Sequence, residues 1–211
     1  MKKQIISLVF LAIAYGVPLM WQPELILHYK IITLVIFFWL ILTTQPAIDL
    51  KEASTKQDTD QFSVFIVLGF SIISVAFAVY EWAYLKAEPA SLTWEIIGLS
   101  LLILGLGLRI WSIRVLGAFF TTTVKEVDNH QLVTSGPYAT IRHPSYLGAY
   151  LAFVGNAVFL GAWKATLLAL ILMLIAYAMR IKIEENTLVG IFGDQYQQYQ
   201  KQTRKLFPYI W

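Results

Sequence analysis

The chain has 211 residues, of which 58% are hydrophobic and only 14% are charged. Soluble domains carry about 25% charged residues, so a disordered protein, a secreted disulfide scaffold and an ordinary cytosolic enzyme are poor fits. Cysteine is absent, which excludes disulfides, thiolate metal sites and cysteine nucleophiles. The net charge of +3 is too small to indicate a nucleic-acid partner. The composition therefore predicts an integral membrane protein.

Apolar stretches long enough to cross a bilayer recur along the chain. A spanning helix needs about 20 mostly apolar residues, and such stretches lie at residues 4–21, 25–44, 62–85 and 92–111. A further stretch at 146–177 is too long for one span and is interrupted near Gly161, so two helices joined by a tight turn are expected there. The sequence predicts an all-α membrane protein with six transmembrane helices, the last two forming a hairpin.

The first stretch has a second interpretation. Lys2 and Lys3 followed by an apolar run resemble a signal peptide. The run continues to Trp21, however, which favours an uncleaved first span.

Basic residues are distributed unevenly between the two sides of this predicted bundle. With six spans, all but three of the 16 Lys and Arg residues fall on the side of the N-terminus; the exceptions are Lys30, Lys86 and Lys164. Lys and Arg concentrate in cytoplasmic loops, so both termini and the interval 112–144 are expected in the cytoplasm. Short loops biased in Lys and Arg suit a bacterial inner membrane and an endoplasmic reticulum equally, but the small size and minimal N-terminal half favour a prokaryotic inner membrane.

Two polar segments bracket the predicted hairpin, one at residues 116–145 and one from Arg180 onward. A hairpin brings both to the same cytoplasmic mouth, and polar groups that converge in this way are typical of a binding site. We therefore expect one membrane domain over residues 1–211, with a four-span part at 1–111. The second part, 112–211, combines a polar loop, the hairpin and a C-terminal lid helix.

The first polar segment ends in the sequence TSGPYATIRHPSY, residues 134–146. Pro144 suits the first turn of a helix, and the free N–H groups near Ser145 and Tyr146 favour an anionic ligand group. His143 precedes the proline and is held by a restricted backbone. Local chemistry alone favours a plainer interpretation, in which this segment only caps a helix at the membrane interface.

The second polar segment carries ionisable residues directly after an apolar span. Arg180 and Glu184 share a helix face, whereas Glu185 projects roughly 100° round the helix. Ionisable groups at this depth are costly and usually face a cavity or a partner. An Arg–Glu pair that stabilises the helix end is the alternative, although Arg before Glu is the less favourable order. After Phe192, a polar helix beginning at Asp194 is amphipathic enough to cover the mouth as a lid.

Other patterns predict structure rather than chemistry. Gly105-Leu106-Gly107 lacks the third glycine of a dinucleotide fingerprint and lies within a span, so it predicts close helix packing. Histidine occurs only at His28, His130 and His143, and without cysteines these give no metal site to propose.

Three segments resemble the isoprenylcysteine carboxyl methyltransferases: LVTSGPYATIRHPSYLG at 132–148, RIKIEENTLVGIFGDQYQQY at 180–199 and the closing LFPYIW. These membrane enzymes use S-adenosylmethionine, without a metal, to esterify a carboxylate. The resemblance implies a methyltransferase core at 112–211. It implies that the cofactor-binding residues are Lys125, His130, Gln131, Leu132, Val133, Tyr138, His143, Pro144, Ser145 and Tyr146. The family's catalytic and substrate-binding arginine and glutamate fall on Arg180 and Glu184.

A carboxylate acceptor fits the residues at these positions. A carboxylate is already ionised at neutral pH, so methyl transfer to it needs no general base; it needs positioning, desolvation and a countercharge. Arg180 can hold a carboxylate through charge-assisted hydrogen bonds, and Glu184 can orient Arg180 or offset the positive sulfonium. The predicted acceptor is a lipophilic carboxylate, such as an isoprenylated cysteine or an analogue, that enters from the membrane lipids while the cofactor enters from water.

Three other functions remain as alternatives. Phospholipid N-methyltransferases carry related versions of RHPSY, so a lipid with an amine or hydroxyl group is one alternative acceptor. A membrane NADPH-dependent reductase of the sterol type is another, although Glu184 and Glu185 suit the extra phosphate of that cofactor poorly. The last is a helical membrane protein that binds lipid or a partner without catalysis.

Overall fold

A computed structural model describes residues 2–45, 58–85, 91–120 and 131–208, and within these ranges the predicted all-α fold is confirmed. The helices are α1 Lys2–Leu11, α2 Tyr29–Thr43, α3 Asp58–Tyr84, α4 Leu92–Leu116, α5 Pro144–Leu160, α6 Trp163–Phe192 and α7 Asp194–Gln202. Short 3₁₀ turns lie at Pro23–Leu27, Gly117–Phe119 and Gly136–Ala139, and a wider π turn at Ala12–Gly16 continues α1.

Three stretches of helix are long and apolar enough to cross a membrane by length and composition: Phe62–Tyr84, Leu92–Phe119 and Trp163–Phe192. Three shorter apolar helices lie at Gln4–Gly16, Tyr29–Thr43 and Pro144–Leu160. These helices support the predicted integral membrane protein. Each apolar stretch of the sequence therefore corresponds to a helix in the described part of the chain, while the total of six spans stays a prediction.

Helix boundaries differ from the expected ones in three places. α2 begins at Tyr29 rather than near residue 25, because Pro23 starts a separate 3₁₀ turn. α4 continues past residue 111, and α6 continues past residue 177 to Phe192. These two helices end only where Gly117 and Gly193 adopt positive φ, a conformation that glycine takes without steric cost. The extension of α6 puts Arg180 and Glu184 on the same continuous helix as its apolar part.

The predicted hairpin is formed by α5 and α6. Gly161 follows α5 in the left-handed conformation, with φ of 74°, and its N–H donates to the carbonyls of Ala157 and Val158. The other side of the turn is held by Glu81 of α3, whose carboxylate accepts from the backbone N–H of Lys164 at 3.2 Å and of Ala165 at 2.7 Å. The negative charge of a carboxylate at this position also interacts favourably with the positive end of the helix dipole.

Glycines allow α4 and α5 to pack with their backbones in contact. A Cβ atom added at Gly105 would lie 2.5 Å from the carbonyl oxygen of Gly148, and one at Gly148 would lie 2.5 Å from that of Gly105. The close packing predicted at Gly105 is therefore confirmed, whereas Gly107 faces open space. This contact fixes the first turns of α5 against α4 and so positions the polar residues at the start of α5.

Candidate active site

Two sequence motifs meet where α5 begins: residues 134–146, which we call the first motif, and residues 180–199, which we call the second motif. The last turns of α6 pass beside the start of α5 at this point. The turn Gly136–Ala139 is possible because Gly136 takes a φ of 60°. Tyr199 of α7 donates a hydrogen bond of 2.6 Å to the carbonyl oxygen of Tyr138 in this turn. The predicted polar helix thus exists and is held against the first motif.

The chain after α7 pairs with the chain before α5. The N–H of Arg142 donates to the carbonyl of Arg204 at 2.8 Å, and the N–H of His143 donates to the carbonyl of Lys205 at 3.1 Å. In return, the N–H of Arg204 donates to the carbonyl of Thr140 at 3.0 Å. We call residues 203–205 the C-terminal strap. Its parallel pairing fixes the backbone of the first motif relative to α7.

Glu185 neutralises a buried cation in this network. Its Oε1 lies 2.6 Å from Nε of Arg142 and 3.3 Å from Nε2 of His143. Nη1 of Arg142 donates to the carbonyl of Thr203 in the strap at 2.7 Å. All three side chains of this group are buried: Arg142, His143 and Glu185. Removing any one of them would leave a buried charge or hydrogen-bond donor without its partner, which is strongly destabilising. Glu185 therefore joins α6, the first motif and the strap.

Glu184 points in a different direction, towards Tyr146. The Tyr146 hydroxyl donates to Oε2 of Glu184 at 2.6 Å, and Nε of Arg180 lies 3.4 Å from the same hydroxyl oxygen. Nη1 of Arg180 also donates to Oγ of Ser63 on α3 at 3.0 Å. Among the described residues Glu184 forms no ion pair with Arg180, so the helix-end pair considered from the sequence is not formed. Tyr146 instead connects the two.

Aromatic stacking fixes the ring of Tyr146. Its centroid lies 5.7 Å from that of His143 with 9° between the ring planes, and 5.3 Å from that of Tyr177 with 17°. Offset stacking of this kind contributes about 0.5–1.5 kcal/mol per pair. The ring therefore has one defined position between α5 and α6.

A cavity of about 90 Å³, which we call the polar cavity, lies under α7 and beside these groups. Nine of the predicted site residues line it: Gln131, Leu132, Val133, Tyr138, His143, Ser145, Tyr146, Arg180 and Glu184. Pro144 does not line it but is the first residue of α5, as predicted. Lys125 and His130 lie outside the described residues.

Aromatic residues that were not predicted from the sequence also line the polar cavity. Tyr196 and Tyr199 of α7 also line the polar cavity, as do Phe119 and Phe120 after α4. Burial raises the pKa of the phenols of Tyr138, Tyr196 and Tyr199, so all three are neutral hydroxyl groups at physiological pH. Tyr196 and Tyr199 are three residues apart and so share one face of α7. This spacing was the sequence signal that could have identified them. The lid therefore gives the cavity an uncharged aromatic wall.

A second cavity of about 190 Å³, the apolar cavity, lies among α1, α2, α3, α5 and α6. Its lining is mostly apolar, with Phe10, Phe38 and Phe153 among the largest side chains. It meets the polar cavity at Tyr146 and Arg180, which line both. The two cavities therefore have a common wall, with an aromatic ring, a hydroxyl and a guanidinium in it.

Arg109 is a second buried cation, and it lies on the apolar side of this wall. It is buried on α4 and lines the apolar cavity. Its Nε donates to Oγ1 of Thr44 at 2.9 Å, and Nη1 donates to the carbonyl of Ser145 at 3.2 Å. No carboxylate of the described residues lies within ion-pair distance of it. An arginine inside an apolar span is a sequence signal for function. From the sequence, however, Arg109 served only as one of the basic residues that predict the orientation in the membrane.

Comparison with known proteins agrees with this geometry. Residues 96–190 match the sequence model of the isoprenylcysteine carboxyl methyltransferase (ICMT) family. The chain is 39% identical over 114 residues to a protein-S-isoprenylcysteine O-methyltransferase of Schizosaccharomyces pombe, with 53% of this chain and 48% of the relative covered. It is 32% identical over 126 residues to the human protein of that name, with 58% and 44% covered.

A solved structure extends the likeness to nearly the whole chain. The structure of the eukaryotic intramembrane Ras methyltransferase ICMT aligns with a TM-score of 0.62 at 26% identity, covering 99% of this chain and 75% of that one. The chain spans about half the length of the curated relatives it matches. The family resemblance read from the two motifs is therefore confirmed.

Proposed function

We propose that this chain, which resembles the isoprenylcysteine carboxyl methyltransferase family over residues 96–190, transfers a methyl group from S-adenosylmethionine to the carboxylate of a lipophilic acceptor. An isoprenylated cysteine or an analogue is the acceptor class. One observation carries the proposal: a polar cavity and an apolar cavity share a wall that contains Tyr146 and Arg180. A water-soluble donor and a lipid-soluble acceptor can then react without either leaving its own phase.

The groups that line the polar cavity suit S-adenosylmethionine, which when bound supplies an electrophilic methyl group. The carboxylate of Glu184 offsets a positive sulfonium, and the rings of Tyr138 and Tyr196 offer faces for a cation and for an adenine ring. The neutral lid tyrosines add no competing charge. Gln131, Leu132, Val133, His143 and Ser145 complete the proposed cofactor contacts, and Lys125, His130 and Pro144 stay predictions from the family.

The two arginines that line the apolar cavity suit a carboxylate acceptor. Arg180 and Arg109 both line the apolar cavity, and a guanidinium binds a carboxylate by two parallel charge-assisted hydrogen bonds. Arg109 is the stronger argument, because a buried guanidinium that has no anionic partner among the described residues is costly until an anion arrives. The carboxylate of the acceptor is already ionised at neutral pH, so this reaction needs positioning and desolvation rather than a base.

The membrane arrangement follows from this assignment. S-adenosylmethionine is made in the cytoplasm, so the polar cavity and both termini face the cytoplasm, and the six apolar helices cross the membrane. The uneven distribution of Lys and Arg supports the same orientation. The acceptor enters the apolar cavity from the membrane lipids, where its hydrocarbon chain is already dissolved. We keep a prokaryotic inner membrane as the proposed location.

Calorimetric titration of the detergent-purified protein with S-adenosylhomocysteine tests the donor, and NADPH is the comparison ligand. We expect micromolar binding of S-adenosylhomocysteine that is lost in His143→Ala, because His143 lines the polar cavity. Binding of NADPH alone would assign the protein to the reductases, and binding of neither would leave a lipid-binding protein without this chemistry. Each of these two outcomes contradicts the proposal.

A methylation assay with N-acetyl-S-farnesylcysteine tests the acceptor. We expect a base-labile methyl ester, and a roughly hundredfold loss of kcat in Arg109→Gln with unchanged affinity for S-adenosylhomocysteine. Arg109→Lys keeps the charge but not the planar fork, so it should recover part of the activity. A methylated lipid from which base does not release the methyl group would indicate an amine acceptor. Arg109 would not help to bind an acceptor of that kind.

A further inference from the structure

The apolar cavity has a defined depth. On α5 its lining begins at Tyr146 and ends at Phe153, which is roughly 10 Å along the helix axis at 1.5 Å per residue. On α3 it runs from Val64 to Ser71, the same number of turns. Tyr146 belongs to the wall shared with the polar cavity, so Phe153 lies at the far end.

Three phenylalanines close that far end. The ring of Phe38 lies 5.1 Å from that of Phe153 and 6.5 Å from that of Phe10, measured between centroids. All three side chains are buried and all three line the cavity. Since they come from α2, α5 and α1, they form a continuous surface across the cavity, which we call the aromatic floor.

A polar pair lies directly behind this floor. Tyr15, whose ring contacts Phe38 edge-on at 6.1 Å, donates a hydrogen bond of 2.8 Å to Oδ1 of Asn156. Asn156 is fully buried one turn beyond Phe153, and its Nδ2 has no hydrogen-bond partner in the described part of the chain. A hydrocarbon chain gains nothing by entering a layer with an unsatisfied amide. The apolar path therefore ends at the floor.

We propose that the aromatic floor of Phe10, Phe38 and Phe153 sets the length of the hydrocarbon chain on the acceptor. The inference rests on the proposed methyl transfer and adds a specificity to it. An acceptor whose carboxylate lies at Arg109 extends its chain along the cavity towards Phe153. The cysteine part of the acceptor takes up part of this depth, so a geranyl chain already reaches the floor. A geranylgeranyl chain, twice as long, must displace much more of its length to bind.

The test is a competition between acceptors that differ only in chain length. The intact protein in detergent receives S-adenosylmethionine and N-acetylcysteine carrying a geranyl, farnesyl or geranylgeranyl chain, and kcat/KM is measured for each. The wild type should favour geranyl over geranylgeranyl. Phe153→Ala should move this ratio towards geranylgeranyl by roughly tenfold or more, the size of effect that small changes in an apolar pocket produce.

Two further variants make the result independent of a single substitution. Ala149→Phe, at a small residue lining the middle of the cavity, should act in the opposite direction and lower kcat/KM for geranylgeranyl more than for geranyl. Phe153→Leu should give a smaller shift in the same direction as alanine if the alanine variant does not fold. Phe159→Ala is the matched control, since it truncates a buried ring on the same helix outside the cavity.

The outcomes separate the two proposals. If the wild type methylates none of the acceptors and binds no S-adenosylhomocysteine, the proposed function itself is wrong. If it methylates them but Phe153→Ala, Phe153→Leu and Ala149→Phe keep the wild-type ratio, the aromatic floor does not measure chain length. A shift of equal size in Phe159→Ala would also overturn the inference, because the effect would then come from general loosening of α5.

Discussion

The hydroxyl group of Tyr146 donates a hydrogen bond of 2.6 Å to Oε2 of Glu184. This contact joins the start of α5 to the last turns of α6, at the wall between the polar and apolar cavities. Hydrogen bonds to a charged group contribute about 1.5–3 kcal/mol. Tyr146→Phe should therefore lower kcat/KM for S-adenosylmethionine by roughly ten- to hundredfold, as measured from initial rates with one saturating acceptor.

Tyr150 provides the control for this change. It lies one turn further along α5, and its hydroxyl donates to the neutral carbonyl of Leu170 at 3.3 Å, away from the polar cavity. Tyr150→Phe removes the same atom from the same helix, so its kcat/KM should stay within about twofold of the wild type, since this hydroxyl group does not line the polar cavity. Equal losses in both variants would mean that the Tyr146–Glu184 contact has no special part in catalysis.

Substitution of Glu184 should affect turnover, whereas substitution of its neighbour Glu185 should affect stability. Glu184→Gln should abolish turnover and leave the thermal unfolding of the detergent-solubilised protein close to wild type. Glu185→Gln removes the anion that faces buried Arg142, and breaking a buried ion pair costs about 3–5 kcal/mol of the free energy of unfolding. Unfolding midpoints and methylation rates of the two variants check this. A stable, active Glu185→Gln protein would contradict the structural role.

Local signals in the sequence were enough to predict part of the site. Pro144 at the first turn of α5 and Gly193 after α6 are positions where backbone chemistry alone restricts the structure. The hairpin followed from a run of apolar residues too long for one span and from Gly161. These features depend on residues close together in the chain, and they brought the two motifs to one place.

Features that depend on contacts between distant helices could not be predicted. Adjacent residues Glu184 and Glu185 make different contacts because α6 is rotated so that one faces Tyr146 and the other Arg142, and a single sequence does not contain that rotation. The proposed role of Arg109 likewise depends on which of the described side chains pack against it. The apolar cavity is built largely by α1, α2 and α3, which carry none of the motif residues.

Two glycines of α4 that are alike in sequence should differ in their tolerance of alanine. At Gly105 an added Cβ would lie 2.5 Å from the backbone oxygen of Gly148, so Gly105→Ala must push α5 away and with it Tyr146. At Gly107 nothing lies within 4 Å, and alanine is the better helix former by about 1 kcal/mol. Gly105→Ala should lower the unfolding midpoint and the activity, and Gly107→Ala should preserve both. Equal behaviour would mean that α4 and α5 are not in backbone contact.

Glu81 should contribute to stability without contributing to the reaction. Its carboxylate accepts from the N–H groups of Lys164 and Ala165 at the start of α6, roughly 28 Å along that helix from Glu184 at 1.5 Å per residue. Glu81→Ala leaves the buried N–H of Ala165 without its acceptor, which costs about 1–3 kcal/mol, and the partly buried N–H of Lys164 adds less. The unfolding midpoint should therefore fall, while kcat and KM measured on the folded fraction stay the same.

Glu81→Gln separates the charge from the hydrogen bond. The amide keeps one acceptor oxygen for Ala165 but loses the negative charge that opposes the dipole of α6, a term of about 0.3–1 kcal/mol. Its unfolding midpoint should lie between those of the wild type and Glu81→Ala. If Glu81→Ala instead lowers kcat at an unchanged midpoint, the start of α6 is coupled to the cavities at its other end, and Glu81 has a role beyond holding the hairpin.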